Sequence, residues 1–116
     1  MHRLLLAAFL LLATPLAVAQ QAAPQKGDAD LAHRNKTAMC IGCHGIPGYK
    51  TAFPTVYHVP KIAGQQPAYI VSALKAYKNG ERSHPSMRGI AASLTDQDMA
   101  DLAAFYANEP AKTAAR

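Results

Sequence analysis

The 116-residue chain has no tryptophan, two cysteines, and few aromatic side chains, 7% of the total. A core built on large rings is excluded. In a chain this short, the surface it can bury by itself is small. Two cysteines exclude a disulfide-stapled framework. Charged residues make up only 16%, and the formal charge of +5 is scattered from Lys26 to Arg116. No like-charge block marks a nucleic-acid-binding tail. The scatter reads as solvated surface, with an encounter surface for an acidic partner as its other use. Internal repeats are absent.

The two cysteines stand together, in Cys40-Ile41-Gly42-Cys43-His44. Two thiols three positions apart lie on one side of a single turn, and a histidine follows the second at once. C-x-x-C-H is the pattern of c-type haem attachment. The thiols add to two vinyl groups on one porphyrin edge, and the adjacent imidazole offers a nitrogen to iron. Gly42 leaves room for backbone to run close to the ring. Three other readings compete. A thioredoxin-like motif needs a strand before it, and no strand-like apolar run precedes Cys40. A zinc site needs a fourth ligand, and no second C-x-x-C or H-x₃₋₅-H follows. A structural disulfide across two residues would be a tight ring.

The N-terminus reads as a secretory signal peptide over residues 1–19. Met1-His2-Arg3 is basic, Leu4 to Ala13 is apolar, Thr14-Pro15 breaks the run, and Ala17-Val18-Ala19 offers a cleavage site. The run is too short and wrongly flanked for a membrane span, so no stable membrane insertion is expected after cleavage; an uncleaved anchor is the alternative. Export fits haem capture of thiols that would otherwise oxidise. The expected location is the periplasm. A flat apolar cofactor would supply much of the missing core, so the apoprotein is expected to be largely disordered.

The rest divides into a flexible leader (20–27), one domain (28–109) and a polar tail (110–116). Asp28 or Asp30 can cap a helix running to about Met39. Tyr49 to Val59 mixes aromatic and β-branched residues with Pro54, which allows a short extended piece but argues against a central strand. Tyr57, Val59 and Ile62 are candidates for packing against the haem edge. Pro67 opens a second helix that ends near Asn79 with Gly80 as its cap. Its buried stripe is Tyr69, Ile70, Leu74 and Tyr77. Glu81 to Ser93, rich in Pro, Ser and Gly, reads as loop. Thr95 opens a capping box with Asp98 and a last helix to about Asn108, with Met99, Leu102, Ala103 and Tyr106 on one face.

Candidates for a second iron ligand are Met87, Met99, Met39, His33, His58 and His84. Met39 is beside Cys40, Met99 fits an apolar stripe, and His33 has polar neighbours. Met87, between Pro85 and Gly89, has no helical packing to explain it. His/Met ligation through His44 and Met87 would favour the reduced iron and raise the potential. His58 and His84 keep bis-histidine ligation open.

Taken in order, the helix, C-I-G-C-H, the P-K-I-A-G-Q loop, the Y-I-x-x-A-L-x-x-Y helix, the methionine and L-T-D-Q-D-M-A-D-L-A-A-F-Y-A resemble a class I c-type cytochrome. The similarity is greatest to small soluble bacterial monohaem cytochromes and to single-haem halves of di-haem periplasmic forms, and it covers about Asp28 to Asn108. It implies an all-α fold of three main helices plus loops around one covalent haem c, with the terminal helices crossing. It implies Cys40 and Cys43 as thioether sites, His44 and Met87 as axial ligands, and the Pro60 carbonyl as acceptor from the His44 ring. Tyr49 to Val59 is longer and more aromatic than the usual loop.

With both axial positions filled by protein, the expected role is an electron carrier and not an enzyme. Its partners would be a quinol-oxidising complex, a terminal oxidase or a periplasmic dehydrogenase, with no nucleic acid. The alternatives are a haem-bearing subunit of a periplasmic dehydrogenase or oxidase, and a small haem peroxidase or ligand-binding sensor with an open iron position.

Overall fold

The computed structural model describes residues 25–52 and 55–110. The expected signal peptide, most of the expected leader, Pro54 and all of the expected tail but Pro110 lie outside the described residues. Among the described residues, five α-helices and one minimal hairpin follow in chain order: α1 Ala29–Asn35, α2 Ala38–His44, β1 Lys50–Thr51, β2 Tyr57–His58, α3 Pro67–Asn79, α4 Pro85–Ala92 and α5 Asp96–Asn108. The all-helical expectation holds. The count of three main helices rises to five, because the cysteine motif and the Pro85 segment are helical themselves.

Asp28 starts α1: its Oδ1 accepts from the Asp30 and Leu31 amides at 2.9 and 3.1 Å. The helix does not run on to Met39. Its ladder breaks at Lys36 and Thr37, whose amides both donate to the Ala32 carbonyl, at 2.9 and 3.0 Å. Thr37 is buried, and its hydroxyl donates to the His33 carbonyl at 3.1 Å. A Thr hydroxyl returned to the preceding turn bends a helix. The chain then restarts: the Thr37 carbonyl accepts from Cys40 and Ile41, both at 2.9 Å, and α2 carries the motif.

The extended piece is a hairpin, Lys50 opposite His58 and Thr51 opposite Tyr57. In α3, Pro67 takes the first turn and Gly80 closes the helix at φ +83°, a left-handed conformation that favours glycine. Ile70 is buried and Leu74 and Tyr77 are half-buried, but Tyr69 is 51% exposed. Ile70, Leu74 and Tyr77 follow one another by four and three positions. Tyr69 lies about 100° around the helix from Ile70 and faces outward, its hydroxyl 3.4 Å from the Arg82 guanidinium.

The segment read as loop, Glu81 to Ser93, contains α4. His84 caps it, Pro85 occupies the first turn, and fully buried Ala91 faces inward. The helix packs on α3.

The last helix, α5, is the centre of the core. Met99, Leu102, Ala103 and Tyr106 are all buried, with Leu94 at its entrance and Ala32 and Ile70 packed against them from α1 and α3. Each large buried side chain contributes about 1.5–3 kcal/mol. Helices α1 and α5 cross closely, and a Cβ on Gly27 would run into the Ala100 carbonyl. Buried Asp101 accepts from the Asp28 amide and from Gln97 Nε2, both at 2.7 Å, which ties the start of α1 to α5.

The capping box forms as the sequence suggests. Thr95 Oγ1 accepts from the Asp98 amide at 3.1 Å, and Asp98 Oδ2 accepts from the Thr95 amide at 2.9 Å. The Thr95 amide, then its hydroxyl and the Lys36 ammonium, hold the Asp98 carboxyl below its usual range. Its contribution to stability is complete above about pH 4, the ordinary aspartate value, and is lost as pH falls through the lower folded-state value. Asp98→Asn is expected to flatten that part of the acid limb, read from denaturation midpoints across pH.

Candidate functional site

Helix α2 places three functional groups within two turns. Cys40 and Cys43 are one turn apart, both half-buried free thiols, and His44 is four residues from Cys40. Cys40 packs against the hydrophobic core, as do Ile62, Val71, Leu74 and Phe105. Burial pushes its thiol pKa up. The Tyr106 hydroxyl lies against this thiol but makes no well-formed hydrogen bond. Burial, then the Cys40 charge, raises the Tyr106 pKa, so the phenol stays neutral. Among the described residues, nothing outside its own helix lies within 4 Å of where a Cβ on Gly42 would stand, so this face of α2 is open.

His44 has a defined orientation. Its Nδ1 lies 2.7 Å from the Pro60 carbonyl oxygen. A carbonyl only accepts, so Nδ1 carries the proton and Nε2 is left with a lone pair. That nitrogen can bind a metal, and the carbonyl fixes the ring while raising its basicity. Half-buried Ile62, two residues on from Pro60, packs against the hydrophobic core. Paired thiols, an imidazole with one bare nitrogen, an open glycine face and apolar neighbours fit a covalently attached haem. Among the described residues, no group of three or more His, Cys, Asp or Glu is placed to hold a metal ion.

Met87 stands on α4, half-buried. Its amide points at His84 Nδ1, 3.4 Å away, and the His84 ring meets Tyr57 edge-on at 5.9 Å. Because Nδ1 accepts, the neutral His84 ring carries its proton on Nε2 and has no free lone pair. The remaining candidates are placed elsewhere. His33 is exposed and stacks on Phe105 at 5.5 Å. His58 is exposed in β2, Met39 is 37% exposed, and Met99 is fully buried in the core. Of the three residues offered for haem-edge packing, Val59 and Ile62 are half-buried and Tyr57 is 58% exposed. A separate groove of about 770 Å³ between α3, α5 and the leader is lined by small residues such as Ala68, Ala100 and Ala104, and holds none of Cys40, Cys43, His44 or Met87.

Sequence reasoning missed two features of this region. One is the His84 cap, whose signal was histidine before proline with Met87 three residues on. The other is Arg82, which sits 4.7 Å over the Tyr77 ring; nothing local pointed to it.

The sequence matches the family model described as cytochrome c over residues 35–108. It is 41% identical over 91 residues to cytochrome c4 of Thiocapsa roseopersicina, covering 78% of this chain and 45% of that protein. It is 37% identical over 86 residues to cytochrome c-554(548) of Halomonas halodenitrificans, covering 72% of this chain and 98% of that one. Over 69 residues it is 33% identical to the cytochrome subunit of sulfide dehydrogenase of Chlorobaculum tepidum, covering 60% and 58%. The chain thus spans less than half the length of the cytochrome c4 and nearly all of the cytochrome c-554(548).

Proposed function

The chain belongs to the cytochrome c family, which carries haem c covalently on a cysteine pair, here Cys40 and Cys43; from this premise we propose that it is a periplasmic carrier of single electrons with His44 and Met87 as axial ligands. The family's haem serves electron transfer. When bound, the haem supplies a one-electron couple whose potential follows its axial ligands, hydrogen bonds and burial. The chain's residues do the rest. Pro60 holds the proton on His44 Nδ1 and aims Nε2. Ile62 and Leu74, half-buried against the same core as Cys40, would offer the haem apolar contact. Met87 offers soft sulfur from a helix fixed at its N-terminus. With protein ligands on both sides, no iron position is left for a substrate, which supports a carrier over an enzyme.

The observation that carries this reading is the 2.7 Å contact between His44 Nδ1 and the Pro60 carbonyl. It commits one ring nitrogen and leaves the other for iron. Export over residues 1–19 supports the periplasm. Among the described residues, no helix is long and apolar enough to cross a membrane. Partners on this reading are a quinol-oxidising complex, a terminal oxidase or a periplasmic dehydrogenase.

The test is a redox titration of the purified holoprotein followed by absorption spectra. The expected result is a single one-electron wave, with about 59 mV per tenfold change in ratio, low-spin iron and a thioether-to-iron charge-transfer band. High-spin iron that binds carbon monoxide or cyanide at once would replace the carrier with a peroxidase or sensor. A second reading is favoured by the Chlorobaculum relative, by name a subunit of a dehydrogenase. Co-purification with a dehydrogenase at fixed ratio, with no free pool, would establish it.

A further inference from the structure

We propose that His84 is the positioning residue for Met87, acting as a side-chain cap that fixes the first turn of α4. The inference rests on the reading of Met87 as an axial ligand. Histidine is not among the preferred N-caps, which are Asn, Asp, Ser and Thr. Here local chemistry makes it one. A residue before proline is pushed out of the helical region into extended backbone, and His84 sits at φ −162°, ψ 111°. That is the conformation an N-cap needs. Pro85 then opens the helix with its φ already set and no amide to satisfy. Two residues later the Met87 amide donates to His84 Nδ1 at 3.4 Å, and the Arg88 amide donates to the His84 carbonyl at 2.9 Å. Both ends of His84 therefore bind the same turn. Tyr57 of β2 meets the ring edge-on at 5.9 Å and limits its rotation.

The contact goes to the backbone of Met87 itself. A helix of eight residues, 85–92, is too short to hold its own ends. Fraying would begin at the uncapped turn, which is the turn that bears the thioether. His84 thus controls where the sulfur is held without touching iron.

The test uses His84→Ala, His84→Asn and His84→Gln in the holoprotein. Two readouts are taken: hydrogen exchange at the position-87 amide and the thioether-to-iron band on warming. Loss of a cap is expected to speed exchange at position 87 about five-fold in His84→Ala while α5 amides hold their rates. The band should weaken at lower temperature in the same variant. His84→Asn, with a good capping side chain, should restore both; His84→Gln, whose longer side chain over-reaches the turn, should restore neither. Wild-type exchange and band in His84→Ala, or failure of His84→Asn to restore them, would overturn the assignment. If His84→Ala does not accumulate as holoprotein, the contrast between His84→Asn and His84→Gln decides on the same criteria. The ligand reading fails separately, by an unchanged spectrum in Met87→Ala. The amide at position 87 survives that substitution and still reports the cap.

Discussion

Met87→Ala is expected to leave the haem attached, abolish the thioether-to-iron band, and lower the midpoint potential by on the order of 0.2 V. That drop is a fraction of the roughly 0.8 V that axial ligands span. Soft sulfur donates weakly and favours the reduced iron; without it, water or a harder ligand favours the oxidised state. Attachment should survive because both thioether bonds come from α2, a different element. The structural cost should be modest. Alanine is the best helix former, the position-87 amide keeps its cap, and Met87 is only half-buried. Its packing loss should be on the order of 1 kcal/mol, less than the roughly 2–5 kcal/mol of a fully buried methionine. Met99→Ala supplies the opposite pattern. Met99 is fully buried at the centre of the core, so that variant should lose the larger stability and keep its band. An unchanged spectrum and potential in Met87→Ala would remove Met87 from the site, and loss of the band in Met99→Ala would hand it the role.

What was legible in the sequence was local. Asp28, the Thr95–Asp98 box, Pro67 and Gly80 announce helix ends because each acts within a few residues of itself. The stripe of α5 was legible because Met99, Leu102, Ala103 and Tyr106 recur at helical spacing on one face; the burial of Ala100 and Asp101 against the start of α1 was not. The break at Lys36–Thr37 was not, since it depends on a shared Ala32 carbonyl and a buried threonine that no periodicity encodes. Helix α4 was hidden for a related reason. Proline, serine and glycine carry poor intrinsic propensity, and the helix stands through an unusual cap and packing on α3. Tyr69 was grouped with Ile70 as core, but neighbours in a helix face different ways. In the site, the spacing of Cys40, Cys43 and His44 was legible outright. The His44–Pro60 contact spans 16 residues and followed only from the family resemblance. The family relation also explains why local signals sufficed for so much. The fold is a short chain organised about one attachment motif, so most of its information sits beside that motif and at helix ends.

Replacing both Cys40 and Cys43 with alanine is expected to cost the protein its colour and most of its structure together. The two thiols are the only cysteines of the chain, so no covalent haem can remain, and the band on a denaturing gel stained for haem should vanish. The second loss follows from the size of the core. Among the described residues, the large side chains that are fully buried are Leu94, Met99 and Leu102. At about 1.5–3 kcal/mol each, they offset only a small part of the ordering entropy, about 1–2 kcal/mol per residue for the backbone alone. A small domain with so little core depends on added cross-links or cofactors. Far-UV circular dichroism of the double variant should therefore lose more than about half of its helical signal. Free haem, held by His44 alone, should not restore it fully. Cys40→Ala should be the more damaging single change, because Cys40 packs against the core and faces Tyr106. Retention of native-like circular dichroism by the colourless double variant would show that the helices close on themselves without the haem, and the claim that the cofactor completes the core would fall.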